Sequence, residues 1–213
     1  MRRHQTRHIA CSTRGYNEPM PGSDSVKPGR PGVKLTYDDF LLLPDDGKRH
    51  ELIDGEHCVT PSPNRKHQAI AGNLNGLIWS YLQQQPVGRV FAAPFDVVFS
   101  DFDVVEPDLL FISRARQDDV LMPEHVRGAP DLVVEIGSPG TRKRDETIKR
   151  RLYERFAVSE YWIIDTELDI IKVYRRVDER HVLVAELSLE AGDLLTTPLL
   201  PGLEMALLRI FQD

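Results

Sequence analysis

The 213-residue chain has two cysteines, Cys11 and Cys58, too few for a disulfide scaffold. Two unpaired-looking thiols point to a reducing, cytoplasmic setting rather than secretion. No run of about 18 apolar residues occurs, so no helical membrane span is expected. The N-terminal Arg2, Arg3 and Arg7 have no apolar stretch behind them, which argues against a secretory signal. C-x-x-C and H-E-x-x-H spacings are absent, which leaves a zinc site little support. No internal repeat is visible.

The charge is −6 in total but unevenly spread. Residues 1–34 carry seven Lys/Arg against Glu18 and Asp24, together with four Pro and four Gly and no apolar period. Such a stretch cannot bury enough surface to offset its ordering entropy, and it reads as a disordered basic tail ahead of a domain over 35–213. That domain is acidic. Any phosphate-binding role must therefore rest on a local basic surface or on metal ions.

Within the domain, Thr36-Tyr-Asp-Asp39 opens like a capping box and leads a short helix that stops at Pro44. His50–Asp54 and Glu56–Thr60 form a hairpin around Gly55. Ile70, Leu74, Leu77, Ile78, Tyr81 and Leu82 recur at helical spacing and predict a long helix over about 64–85. Strands are expected at 89–100, 104–113, 131–137, 161–165, 170–176 and 181–189, with a helix over about 141–156. The end of the chain, 203–211, is open between strand and helix. The fold class is α/β, a central mixed sheet flanked by helices.

Three acids sit in apolar strand contexts, where a carboxylate costs several kcal/mol unless compensated. They are Glu51 in Glu-Leu-Ile-Asp54, Asp108 after Pro107, and Glu135 in Leu132-Val-Val-Glu-Ile136. Singly, each could be salt-bridged or face solvent. Together, they suit a hard divalent cation such as Mg²⁺ or Mn²⁺, which takes carboxylates, waters and substrate phosphate. In the following helix, Asp145, Lys149 and Tyr153 share a face at i, i+4, i+8, beside an apolar stripe of Ile148, Leu152 and Phe156. This reading puts Lys149 at the edge of the buried side, where it could steer a phosphate or orient a water. The helix is +4 over residues 142–155. Arg142, Lys143, Arg144, Arg150 and Arg151 are candidate nucleic-acid contacts.

Read in order, Glu51-Leu-Ile-Asp-Gly-Glu56, Ser62-Pro-Asn-Arg-Lys-His67-Gln68, Pro107-Asp108, Asp131-Leu-Val-Val-Glu135, Asp145-x-x-x-Lys149-x-x-x-Tyr153 and Glu160-Tyr-Trp-Ile-Ile-Asp165 resemble the Uma2 family of endonucleases, of the PD-(D/E)xK superfamily. The resemblance covers about 35–211. It implies a restriction-endonuclease-like core that cuts DNA, with Asp108 and Glu135 as the metal pair and Glu51 as the upstream acid. The chain departs from the superfamily at Gly137, where the lysine of E-x-K would stand; the resemblance moves that role to Lys149. His67 and Asp96 lie in family-like segments and join Asp145 and Tyr153 as secondary candidates. A homodimer is compatible, since cutting two strands needs two sites. The rival reading is a nuclease fold that binds nucleic acid or regulates without cutting; a further one is a plain interaction domain.

Overall fold

The computed structural model describes residues 33–60, 62–137 and 142–212. Apart from Val33 and Lys34, the expected tail over 1–34 lies outside the described residues. Lys34 pairs with Asp54, and the Leu35 N–H donates to the Gly55 carbonyl.

In chain order the elements are α1 (Tyr37–Phe40), β1 (Arg49–Ile53), β2 (Glu56–Thr60), α2 (Arg65–Gln84), β3 (Gly88–Ala92), β4 (Val97–Ser100), β5 (Asp103–Val105), β6 (Leu109–Ser113), α3 (Gln117–Val120), β7 (Val126–Arg127) and β8 (Leu132–Gly137). There follow α4 (Arg142–Arg144), a π-helical turn (Asp145–Lys149), α5 (Arg150–Arg155), β9 (Glu160–Asp165), β10 (Ile170–Val177), β11 (Arg180–Ser188), β12 (Leu194–Thr196), β13 (Glu204–Ala206) and α6 (Leu207–Ile210). The expected α1 capping box is formed between Thr36 and Asp39. The open C-terminal segment contains both a strand, β13, and a helix, α6.

The mixed α/β class holds, with two main sheets rather than one. The central sheet runs β11-β10-β9-β8-β6-β3 and the second β2-β1-β5-β4-β7. Each expected long strand is divided between them. Residues 89–100 break at Ala93-Pro94 into β3 of the central sheet and β4 of the second. Residues 104–113 break at Glu106-Pro107 into β5 and β6. Proline has no N–H for a ladder, so the chain crosses between sheets where one cannot continue.

Strand alternation sorts the two cores. Leu109, Phe111, Leu132, Val134 and Ile136 face α2, whose Ile70, Leu74, Ile78 and Leu82 cover that side. Leu110, Ile112 and Val133 face the other way, onto Val97, Val105, Ile53 and the α5 residues Leu152 and Tyr153. Every residue of β8 is buried, as expected of a central strand covered on both faces. By alternation Glu135 goes with Val133. It therefore enters the layer between the two sheets rather than solvent.

Candidate active site

The hairpin fixes where Glu51 points. Asp54 and Gly55 have φ of 53° and 74°, the paired positive values of a type I′ turn, whose twist matches the flanking strands. This sets the register with Glu51 opposite Cys58. Leu52 packs in a small outer cluster and Ile53 in the inter-sheet core. Glu51, two residues before Ile53, therefore turns inward and is 1% exposed. Asp108 stands one residue before β6, whose Leu109 is opposite Val134. Its Oδ2 accepts the Ile136 N–H at 2.7 Å, which brings it beside Glu135.

Between α4 and α5 the Arg150 N–H reaches the Asp145 carbonyl, five residues back. That wider turn re-aims the side chains and corrects the expected helix face. Ile148 is 50% exposed, whereas Asp145, Lys149 and Tyr153 are buried. Ile148 drops out of the apolar stripe, and the core receives Asp145, Lys149 and Tyr153 together with Leu152. Lys149 is at the centre of the buried side, 2% exposed, not at its edge.

The three acids and Lys149 form one network. The Lys149 ammonium lies 2.8 Å from Glu51 Oε1 and 2.8 Å from Glu135 Oε1. The Tyr153 hydroxyl donates to the same Glu135 oxygen at 2.5 Å. Arg144 Nη2 donates to Glu51 Oε2 at 2.7 Å and to Thr60 Oγ1 at 3.0 Å. Asp108 Oδ1 receives Arg49 Nη1 at 2.5 Å and stands 3.1 Å from His67 Nε2. Arg49 Nε in turn meets Glu106 Oε1 at 3.0 Å. The Glu106 N–H donates to Glu51 Oε1 at 3.2 Å. A cleft of about 100 Å³ opens onto Asp108, Glu135, Lys149, Arg49, Glu106 and Arg144.

Carboxylates crowd this cleft. Among the described residues, Glu51, Glu106, Asp108 and Glu135 share three permanent cations, Arg49, Arg144 and Lys149, with His67 beside them; Asp145 adds its field to Glu135. Burial opposes the charge on Lys149, but Glu135 and Glu51 hold the ammonium above its ordinary value. Burial also opposes ionisation of Glu51, but Lys149 and Arg144 keep that carboxyl low. In Asp108, His67 and Arg49 likewise outweigh burial. Of the three acids, Glu135 is left short. Burial, relieved in part by Lys149 and aggravated by Asp145, Asp108 and Glu51, pushes it up to about 8. Burial also lifts Glu106 to about 7, against the pull of Arg49 and with Asp96, Glu51 and Asp108 adding to it.

The cleft offers carboxylate oxygens and the His67 imidazole and no thiolate, ligand types that Mg²⁺ and Mn²⁺ accept. The surplus negative charge is what such an ion would relieve. As placed, the described residues contain no group of three His, Cys, Asp or Glu side chains spaced to hold a metal. Asp108 and Glu135 are each turned toward a cation of the protein itself.

Other expected residues fall in different places. Asp96, before β4, is half-buried, and burial raises its pKa although His125 draws it down; its charge acts on Glu106, but it does not line the cleft. Lys143 and Arg151 are exposed. Arg150 pairs at 3.8 Å with Glu154 and lies over the Tyr174 ring. Arg144 turns into the site. The side chain of Arg142 lies outside the described residues. Arg49, Glu106 and Thr60 were missed. Strand period two puts Arg49 on the face of Glu51, and Glu106 directly precedes Pro107-Asp108; both signals were available.

A comparison with curated proteins gives no match. Among solved structures, the chain is similar to a crystal structure described as "a putative nuclease belonging to DUF820 from Anabaena variabilis ATCC 29413". The TM-score is 0.69 and the identity 24%, covering 83% of this chain and 97% of that one; at that identity the likeness establishes the fold. The sequence profile of the Uma2 family, described as "Putative restriction endonuclease", matches residues 37–208. That match takes in the strands, helices and acids just described, and the chain belongs to the Uma2 family.

Proposed function

We propose that this protein is a cytoplasmic, divalent-cation-dependent endonuclease that hydrolyses phosphodiester bonds of DNA. The observation that carries the reading is that Glu51 and Glu135, from separate strands, share one buried ammonium, and that Asp108 stands beside Glu135 through its bond to the Ile136 N–H. A Mg²⁺ or Mn²⁺ ion held by Asp108 and Glu135, with Glu51 completing the acidic set, would supply Lewis acidity and lower the pKa of the attacking water.

The chain's own residues do the rest. Lys149, held charged between two carboxylates, offers a fixed positive point for a phosphate oxygen or the attacking water. Tyr153 orients Glu135 through its hydroxyl. Arg144 secures Glu51 and keeps its outer oxygen neutralised. Lys143 and Arg151 on the exposed side supply backbone contacts, whose strength must fall with salt. Cutting both strands of a duplex calls for two such sites, hence two copies.

The test is purified protein on supercoiled plasmid DNA with Mg²⁺ or Mn²⁺, beside Asp108→Ala, Glu135→Ala and Lys149→Ala. Cleavage by the wild type alone supports the reading, and cleavage surviving the acid substitutions removes it. A second reading, a nuclease fold that binds DNA without cutting, is favoured by the internal cations already seated on all three acids. It predicts salt-sensitive DNA binding with no cleavage in either metal.

A further inference from the structure

Arg49 occupies an unusual position in this cleft. Its guanidinium forks between two carboxylates, Nε on Glu106 at 3.0 Å and Nη1 on Asp108 at 2.5 Å. The side chain is 21% exposed, so the fork is open to the cleft rather than sealed in the core. The other oxygen of Asp108 is fixed by the Ile136 N–H. Oδ1 is shared by Arg49 and by His67 Nε2 at 3.1 Å; both are side chains rather than backbone, so Oδ1 is the oxygen whose partners can change, and Arg49 makes the shorter contact. A lone pair given to a guanidinium is not available to a metal ion, so Arg49 and a divalent cation compete for the same atom.

The two ends of the fork are held differently. Glu106 holds Nε, the nitrogen nearest the side-chain stem, and the Glu106 backbone is itself pinned by its N–H bond to Glu51. Nη1, at the far end, is the group on Asp108. If Asp108 is taken over by a cation, the Nε bond can persist as a pivot while the outer fork turns. A guanidinium presents five N–H groups in a geometry that matches phosphate as well as carboxylate.

We propose that Arg49 is a resident counter-ion that holds Asp108 Oδ1 until a divalent cation displaces it, and that the released guanidinium, still anchored on Glu106, then clamps the DNA phosphate. This rests on the nuclease reading above and gives its inward-turned cations a purpose. Arg49 opposes metal binding and favours cleavage, so its removal must move the two readouts in opposite directions.

The experiment is a calorimetric Mn²⁺ titration of the full chain, with plasmid cleavage at saturating Mn²⁺, for the wild type, Arg49→Ala, Arg49→Gln and Arg49→Lys. Loss of one charge-assisted hydrogen bond corresponds to about tenfold tighter Mn²⁺ binding in Arg49→Ala and Arg49→Gln. Removing a phosphate clamp slows saturated cleavage by roughly 10²-fold in both. Gln places its amide where Nε stands, so it keeps an N–H for Glu106 and none for Asp108, and it covers the case in which Ala does not fold. Lys keeps the charge without the fork, so its Mn²⁺ affinity stays near that of the wild type while cleavage falls. Mn²⁺ affinity in Arg49→Gln equal to or weaker than in the wild type overturns this inference alone, as does undiminished cleavage. A wild type that binds no Mn²⁺ overturns the nuclease reading and this inference with it.

Discussion

Glu135 and Glu160 lie on adjacent parallel strands, β8 and β9, both buried, yet they are different kinds of residue. Glu160 accepts from the Trp162 indole at 2.7 Å, the Thr197 hydroxyl at 3.1 Å and Arg175 Nε at 3.1 Å. Its partners are all donors, and they join β9, β10 and the segment after β12. Glu135 shares its one ammonium with Glu51 and feels Asp108 and Asp145 as well. Burial of an acid therefore does not mark a site; crowding of acids beyond their cations does. A matched carboxylate works as a joint, whereas a crowded set is held against repulsion, which is the arrangement found where chemistry is done.

The contrast can be broken most directly by substitution. Asp108→Ala or Glu135→Gln should lower metal-dependent DNA cleavage by about 10³-fold or more, and Glu135→Gln should unfold in denaturant no earlier than the wild type, because a repulsion has been removed. Lys149→Met should act the opposite way on stability, leaving Glu135 without its cation and Glu51 with Arg144 alone, at a loss of roughly 3–5 kcal/mol; urea unfolding measures it. Glu160→Ala should cost about 2–3 kcal/mol, below that range because Arg175 is 36% exposed and partly screened. The folded fraction of Glu160→Ala should still cleave DNA. If it does not while remaining folded, the division between joint and site fails.

The smallest expected effect concerns His181, a buried base with one matched nitrogen. Its Nε2 meets the Val158 carbonyl at 2.8 Å, and its Nδ1 has no hydrogen-bond partner among the described residues. Burial pulls its pKa below the ordinary histidine value, although the Val158 carbonyl and Glu154 oppose the shift. The folded state thus resists a proton that the unfolded state accepts. Its contribution to stability is complete above about pH 6.5 and is lost as pH falls through the folded value. His181→Phe should reduce the difference in unfolding free energy between pH 7.5 and pH 5.5; an unchanged difference contradicts it.

What was legible in the sequence was whatever a local pattern encodes. The α2 periodicity, the Asp-Gly hairpin and the unusual setting of Glu51, Asp108 and Glu135 were all readable. The division into two sheets was not, because Ala93-Pro94 and Glu106-Pro107 look like irregularities within long strands until the partners are known. The orientation of Lys149 was misjudged because α-helical spacing was assumed, and nothing local announces the π turn that exposes Ile148. Arg144 read as a surface cation because a charge run hides which member turns inward. Arg49 was overlooked although alternation with Glu51 put it on the same face.

The account stands on those acids acting together with a divalent cation, and plasmid cleavage tests that most directly. Wild-type protein in Mg²⁺ or Mn²⁺ should nick or linearise supercoiled DNA, and neither chelator-treated protein nor Asp108→Ala should do so. Cleavage that persists in the chelator or in Asp108→Ala would contradict it.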